Sequence, residues 1–153
     1  MNMNLSTKES ELLKDLKSHE QLCIDQYTSF ANQAKNEQLK SLFNSIADTE
    51  RSHLATVNEL MSGKAPTVPS NIGNSNNDYC GATNYSDEQC KTEDCKLLKN
   101  MLAIEKQVSS VYDTAVFEFK NPQARKALNH IQAEEQQHGE QLYSFMSNNG
   151  MYN

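Results

Sequence analysis

A chain of 153 residues is about one domain long and can bury a substantial core. Its formal net charge is -6 with no basic run, which argues against nucleic acid and anionic membrane as partners. Hydrophobic residues make up 37%, low for a globular domain but ordinary for a helical bundle with wide polar faces, and no apolar run approaches membrane-spanning length. The opening residues carry no apolar signal region, so a cytoplasmic site of synthesis is the expectation.

The first helix is predicted to start after Ser6, which stands in capping-box spacing with Glu9. Leu13, Leu16, Glu20, Cys23, Tyr27, Phe30 and Ala34 then recur at alternating intervals of three and four, the pattern of one buried helix face. Asn36 is a cap that opens a second helix after a very short turn, so the two helices should be antiparallel neighbours. The second seam is Leu39, Phe43, Ile46, Glu50, His53, Val57 and Leu60, and Gly63 stops it. Residues 63–91 hold Pro66, Pro69, Gly73 and Gly81 among many Asn and Ser, with no helical period. So long a connector suits a crossover that runs the length of a bundle. A third helix is predicted from about Thr92, where Glu93 and Asp94 suit the positive end of its dipole. Its seam is Leu98, Met101, Glu105, Val108, Tyr112, Ala115 and Phe119. Asn121-Pro122 starts a fourth helix with the seam Ala124, Leu128, Ile131, Glu135, His138, Leu142 and Phe145, ended by Ser147-Asn148-Asn149-Gly150. The expected fold is therefore all-α: one domain over residues 1–153, with hairpins at about 7–62 and 92–147.

The two hairpins superpose at an offset of 85 with no gap. Glu20 to Met61 shares ten identities in 42 positions with Glu105 to Met146. Unrelated helices would share about two or three on ordinary composition. Duplication of a helical hairpin is the economical reading. The shared positions include Glu20 and Glu105, Tyr27 and Tyr112, Glu50 and Glu135, and His53 and His138. Glu-x-x-His places a carboxylate and an imidazole one turn apart on one face, and here it occurs twice, each copy thirty residues after a seam glutamate.

Four carboxylates at positions where a bundle wants Leu or Ile are unfavourable, because each loses hydration and each raises the pKa of the others. Two divalent cations bring four positive charges against four carboxylates, with both histidines neutral. One Glu from each of two helices and Glu-x-x-His from each of the other two is the ligand set of a di-metal site in a four-helix bundle. Glu20, Glu50, His53, Glu105, Glu135 and His138 are thus the expected metal ligands. Oxygen and imidazole donors without thiolate suit iron or manganese, with zinc as a further option. Glu134 competes with Glu135 but lies off the seam and has no histidine three residues on, so it ranks second. His19 and His130 also lie off the seams, where solvated or hydrogen-bonded residues belong. Tyr27 and Tyr112 each follow a ligand glutamate by one heptad. Each is either core filling or a donor that orients a ligand carboxylate. Cys23 reads as a small core residue, and Cys80, Cys90 and Cys95 match no zinc or redox spacing, so free thiols are expected.

From Leu12 to Phe145 the doubled Glu…Glu-x-x-His resembles the ferritin-like superfamily, most closely its rubrerythrin-type members. The resemblance implies a ferritin-like bundle in which Glu50 and Glu135 bridge two metals, Glu20 and Glu105 are terminal ligands, and His53 and His138 each hold one metal. Two departures stand out. The rubrerythrin-type peroxidases carry an extra glutamate where this chain has Val108, and they commonly carry a rubredoxin module with paired Cys-x-x-Cys, absent here. At a finer level, Glu105-Lys106-Gln107, Asn121-Pro122-Gln123, Glu134-Glu135-Gln136-Gln137-His138, Phe145-Met146 and Gly150-Met151-Tyr152-Asn153 are similar to the spore coat protein F-like proteins of clostridia and bacilli. That likeness implies expression in sporulation and a place in or near the coat.

Two functions follow as expectations. One is a di-iron oxidoreductase acting on peroxide or dioxygen with an electron donor, its chemistry resting on the metal centre. The other is a structural coat protein whose metal mainly clamps the bundle. Expected partners are the small oxidant, other spore coat proteins and a second copy of the chain.

Overall fold

A computed structural model describes residues 2–69 and 85–151. Four helices make up the architecture: α1 (Thr7–Gln33), α2 (Glu37–Met61), α3 (Glu88–Glu118) and α4 (Pro122–Asn148). Each begins at a side-chain cap, because the first backbone N–H groups of a helix have no partner within it. Ser6 and Glu9 form the reciprocal capping box. Asn36 Oδ1 accepts from the Gln38 and Leu39 amides at 2.8 and 3.2 Å. Asn121 accepts from the Ala124 amide at 3.0 Å with Pro122 at the first helical position. α3 starts a turn earlier than Thr92, since Asp87 accepts from the Gln89 amide at 2.8 Å and carries the helix back to Glu88. Gly63, at φ 86°, ends α2 in the left-handed conformation that favours glycine.

Every seam position named above is buried except Phe30, which is only partly covered and tilts against Phe43 at a ring separation of 6.5 Å. Each fully buried Leu, Ile or Phe contributes about 1.5–3 kcal/mol relative to exposure, so the seams supply the hydrophobic drive that holds the bundle.

Short turns make α1 antiparallel to α2 and α3 antiparallel to α4. The two hairpins cross-pair in the same sense. Glu20 meets Tyr112 and Tyr27 meets Glu105, so α1 runs against α3. Glu50 meets His138 and His53 meets Glu135, so α2 runs against α4. α2 and α3 therefore point the same way. α2 ends at the pole where the Met3 amide donates to the Gly63 carbonyl at 2.6 Å. α3 begins at the opposite pole, beside the α1–α2 turn. The connector between them spans 62–87, and its part from 70 to 84, including Cys80, lies outside the described residues.

A second pair of buried acids fastens the poles. Asp94 accepts the Lys35 and Asn36 amides at 2.8 and 3.0 Å, plus the Tyr85 hydroxyl at 2.7 Å. Glu9 accepts the Lys120 amide at 3.2 Å. Glu9 and Asp94 are themselves 85 apart, so each hairpin caps the turn of the other and the internal repeat extends to both ends of the molecule. No described helix is long and apolar enough to cross a membrane.

Candidate metal centre

The six seam side chains converge at mid-height of the bundle. Glu20 and Glu50 are 0% exposed, His53 and Glu135 1%, Glu105 2% and His138 4%. They form two overlapping groups, Glu20-Glu50-His53-Glu135 and Glu50-Glu105-Glu135-His138, with one ligand atom from each member within 4.8 Å of the others. Glu50 and Glu135 belong to both.

The geometry repeats across the pseudo-twofold. His53 Nδ1 lies 2.9 Å from Glu135 Oε1, and His138 Nδ1 lies 2.9 Å from Glu50 Oε1. The Tyr27 hydroxyl donates to Glu105 Oε1 at 2.5 Å, and the Tyr112 hydroxyl donates to Glu20 Oε1 at 2.6 Å. Each tyrosine thus orients a carboxylate of the other hairpin. The imidazoles stack with centroids 5.9 Å apart, both turning Nδ1 toward the carboxylates.

Three carboxylate oxygens in this buried cluster, Glu20 Oε2, Glu105 Oε2 and Glu135 Oε2, have no hydrogen-bond partner. An unpartnered buried oxygen costs about 1–3 kcal/mol, more when charged. Two divalent cations would satisfy those oxygens, balance four carboxylates and use the inward Nδ1 atoms. The residues present therefore fit a di-metal group.

Burial and the neighbouring groups push the six side chains in different directions. Burial first, then the neighbouring Glu50, pushes Glu20 well above the usual carboxylate range; burial and then Glu135 do the same to Glu105. Burial opposes the charged form of Glu50 too, but the neighbouring Glu20 and the two histidines outweigh it and hold Glu50 well below the ordinary range. Glu135 is likewise lowered despite burial, through Glu105 and the histidines. Burial disfavours both imidazolium ions. Glu134, Glu135 and Glu50 overcome this at His53, while Glu105, Glu135 and Glu50 do so at His138, and both are raised well above the ordinary histidine range.

Glu134, ranked behind Glu135 from sequence, has a place of its own. Its Oε1 lies 3.1 Å from His53 Nε2 and 3.1 Å from His130 Nε2. It grips the outer nitrogen of His53 and leaves Nδ1 facing the carboxylates, the arrangement by which an outer carboxylate fixes a metal-binding histidine. Its counterpart in the first hairpin is Thr49, so the two halves differ here. The missed signal was the i, i+4 pair His130–Glu134 beside the motif. His19 is only partly exposed and sits 3.7 Å from Asp15. Cys23 is buried against the cluster, its thiol pushed up by burial and by the four carboxylates, and its counterpart is Val108. Cys23, Cys90 and Cys95 are free thiols, with the Cys95 Sγ 3.6 Å from the Met151 carbonyl.

The second hairpin and the tail behind it are what the comparison with known families picks out. Residues 93–153 match the family model of the Coat F domain. The Coat F segment is less than half of the chain and contains Glu105, Glu135 and His138; Glu20, Glu50 and His53 lie outside it. No curated protein and no solved structure gives a match.

Proposed function

We propose that this chain is a ferritin-like di-metal carboxylate protein associated with the spore coat, whose ions, iron foremost, react with peroxide or dioxygen. One observation carries the reading: two four-residue ligand groups share Glu50 and Glu135 in a buried cluster that has three unpartnered carboxylate oxygens. The Coat F match supports the coat association. Glu20, Glu50, His53 and Glu135 would hold one ion and Glu50, Glu105, Glu135 and His138 the other, with Nδ1 as the inward nitrogen of each histidine. When bound, a ferrous pair supplies the two electrons that, with two protons, reduce peroxide to two waters. The chain's own share is positioning. Tyr27 and Tyr112 hold the terminal carboxylates, and Glu134 holds His53.

Metal analysis of protein purified without chelator should find about two ions per chain, matching the two ligand groups. Mixing anaerobic Fe(II)-loaded protein with peroxide should give a fast optical transient that disappears in Glu50→Ala and Glu135→Ala. A transient indifferent to both changes would sink the oxidoreductase reading. Val108, 1% exposed and apolar where the peroxidases carry a further glutamate, favours a second reading in which the metal mainly clamps the bundle. That reading expects metal-dependent melting with little turnover.

A further inference from the structure

The two faces of the bundle that flank the cluster are not alike. On the α3–α4 face a cavity of about 550 Å³ has Glu105 and Glu135 in its lining, together with Ser109, Gln132, Gln136 and Gly139. The 85-residue offset gives each of these a counterpart on the α1–α2 face: Ile24, Ala47, Arg51 and Leu54 for Ser109, Gln132, Gln136 and Gly139. Those counterparts put Ile24 where the other face has Ser109 and Leu54 where it has the glycine. Ile24 is 7% exposed and Ala47 1%. The Arg51 guanidinium lies across the α1–α2 face, donating to Asp48 at 2.7 Å and to Thr28 at 3.4 Å.

Gly139 is informative because nothing in the backbone asks for it. It sits inside α4, its φ is not positive, and an added Cβ would meet only Leu102 Cδ1 at an ordinary 3.9 Å. A helix-interior glycine costs about 1 kcal/mol against alanine. What the missing side chain provides here is open space over the cluster. The described lining also carries Asp113 and Glu135 against one base, Lys106, a net negative charge that favours cations.

We propose that the α3–α4 cavity is the entrance through which divalent cations reach the centre, and that the α1–α2 face is sealed. The proposal rests on the metal-centre reading above and adds the route and its direction.

The test follows Co(II) uptake by the full, metal-free chain in a stopped-flow instrument, reading the growth of the bound-cobalt visible band. Gly139→Leu gives the cavity the residue found at the sealed face. It should load to the same stoichiometry about tenfold more slowly. Asp113→Lys changes an exposed residue at the rim and should also slow uptake, less so as salt is raised. Asp25→Lys makes the same change in net charge on the first hairpin and should load within about twofold of the parent, since the general field alone is a weak effect. Uptake at the parental rate in both Gly139→Leu and Asp113→Lys overturns the route, as does an Asp25→Lys rate slowed as much as Asp113→Lys. Absence of cobalt binding in every form overturns the metal-centre reading itself, and the route with it.

Discussion

Replacing the two shared glutamates separates the electrostatic argument from ordinary packing. In Glu50→Leu/Glu135→Leu the remaining groups still balance, because Glu20 and Glu105 keep their tyrosine donors and lie 3.8 and 3.4 Å from the Nδ1 atoms of His53 and His138. Exchanging buried ionic groups for apolar ones of similar volume stabilises by about 1–4 kcal/mol in other proteins. Taking about 2 kcal/mol, and about 2–4 °C per kcal/mol for a chain of this size, the metal-free double variant should melt about 4–8 °C above the metal-free parent. Metal should reverse the order. Each ion at a hundred times its dissociation constant adds about 2.7 kcal/mol, so two add about 5.4 kcal/mol, or about 10–20 °C, to the parent and nothing to the variant. The assay is circular-dichroism melting under anaerobic conditions, with and without Fe(II) or Mn(II), and with chelator added back. A parent whose melting ignores metal, or a double variant that keeps the metal shift, refutes the reasoning.

Further outcomes follow from particular contacts. Glu134→Gln should weaken the ion nearest His53 about 10–100-fold and leave the other near its parental affinity, turning a calorimetric titration into two resolved steps; a uniform loss at both sites would contradict the one-sided role of Glu134. Asp94→Ala leaves the Lys35 and Asn36 amides and the Tyr85 hydroxyl without their acceptor and should cost about 3 kcal/mol in urea unfolding, with metal stoichiometry unchanged. Stability of the metal-free form should fall as pH rises above about 6.5, where the unfolded chain's histidines lose their protons. Folded His53 and His138, raised, hold protons that the unfolded chain has released, and so do the raised Glu20 and Glu105, so all four favour folding less as pH climbs. The lowered Glu50 and Glu135 lose their contribution only on the acid side and leave that sign unchanged. Metal affinity should rise over the same range because the ligands must shed protons, and melting curves at several pH values with and without metal check both trends.

The bundle was legible because its seams hold a strict period, and the six cluster residues were legible because they interrupt it with charge. Periodicity says which face a residue occupies, and so it placed Glu20 and Glu105 inside before any coordinates. It says nothing about residues whose partner sits on another helix at the edge of the seam. Glu9 and Asp94 read as local capping and dipole residues, and both also reach across to the opposite turn. Glu134 became visible only once the ring of His53 had a direction, since its role depends on Nε2 facing outward. The early start of α3 was hidden because Asp87 lies in a run of turn-forming residues and the matching position of the first hairpin begins no helix.

Neither hairpin contains a full group of four candidate ligands. Each group takes three members from one half of the chain and borrows its last carboxylate from the other. The Coat F segment therefore does not by itself supply a full group of candidate ligands. The segment carries three members of one group and the fourth, Glu50, stands upstream of it, so a polypeptide with only this one hairpin would have to borrow the missing acid from its own twin.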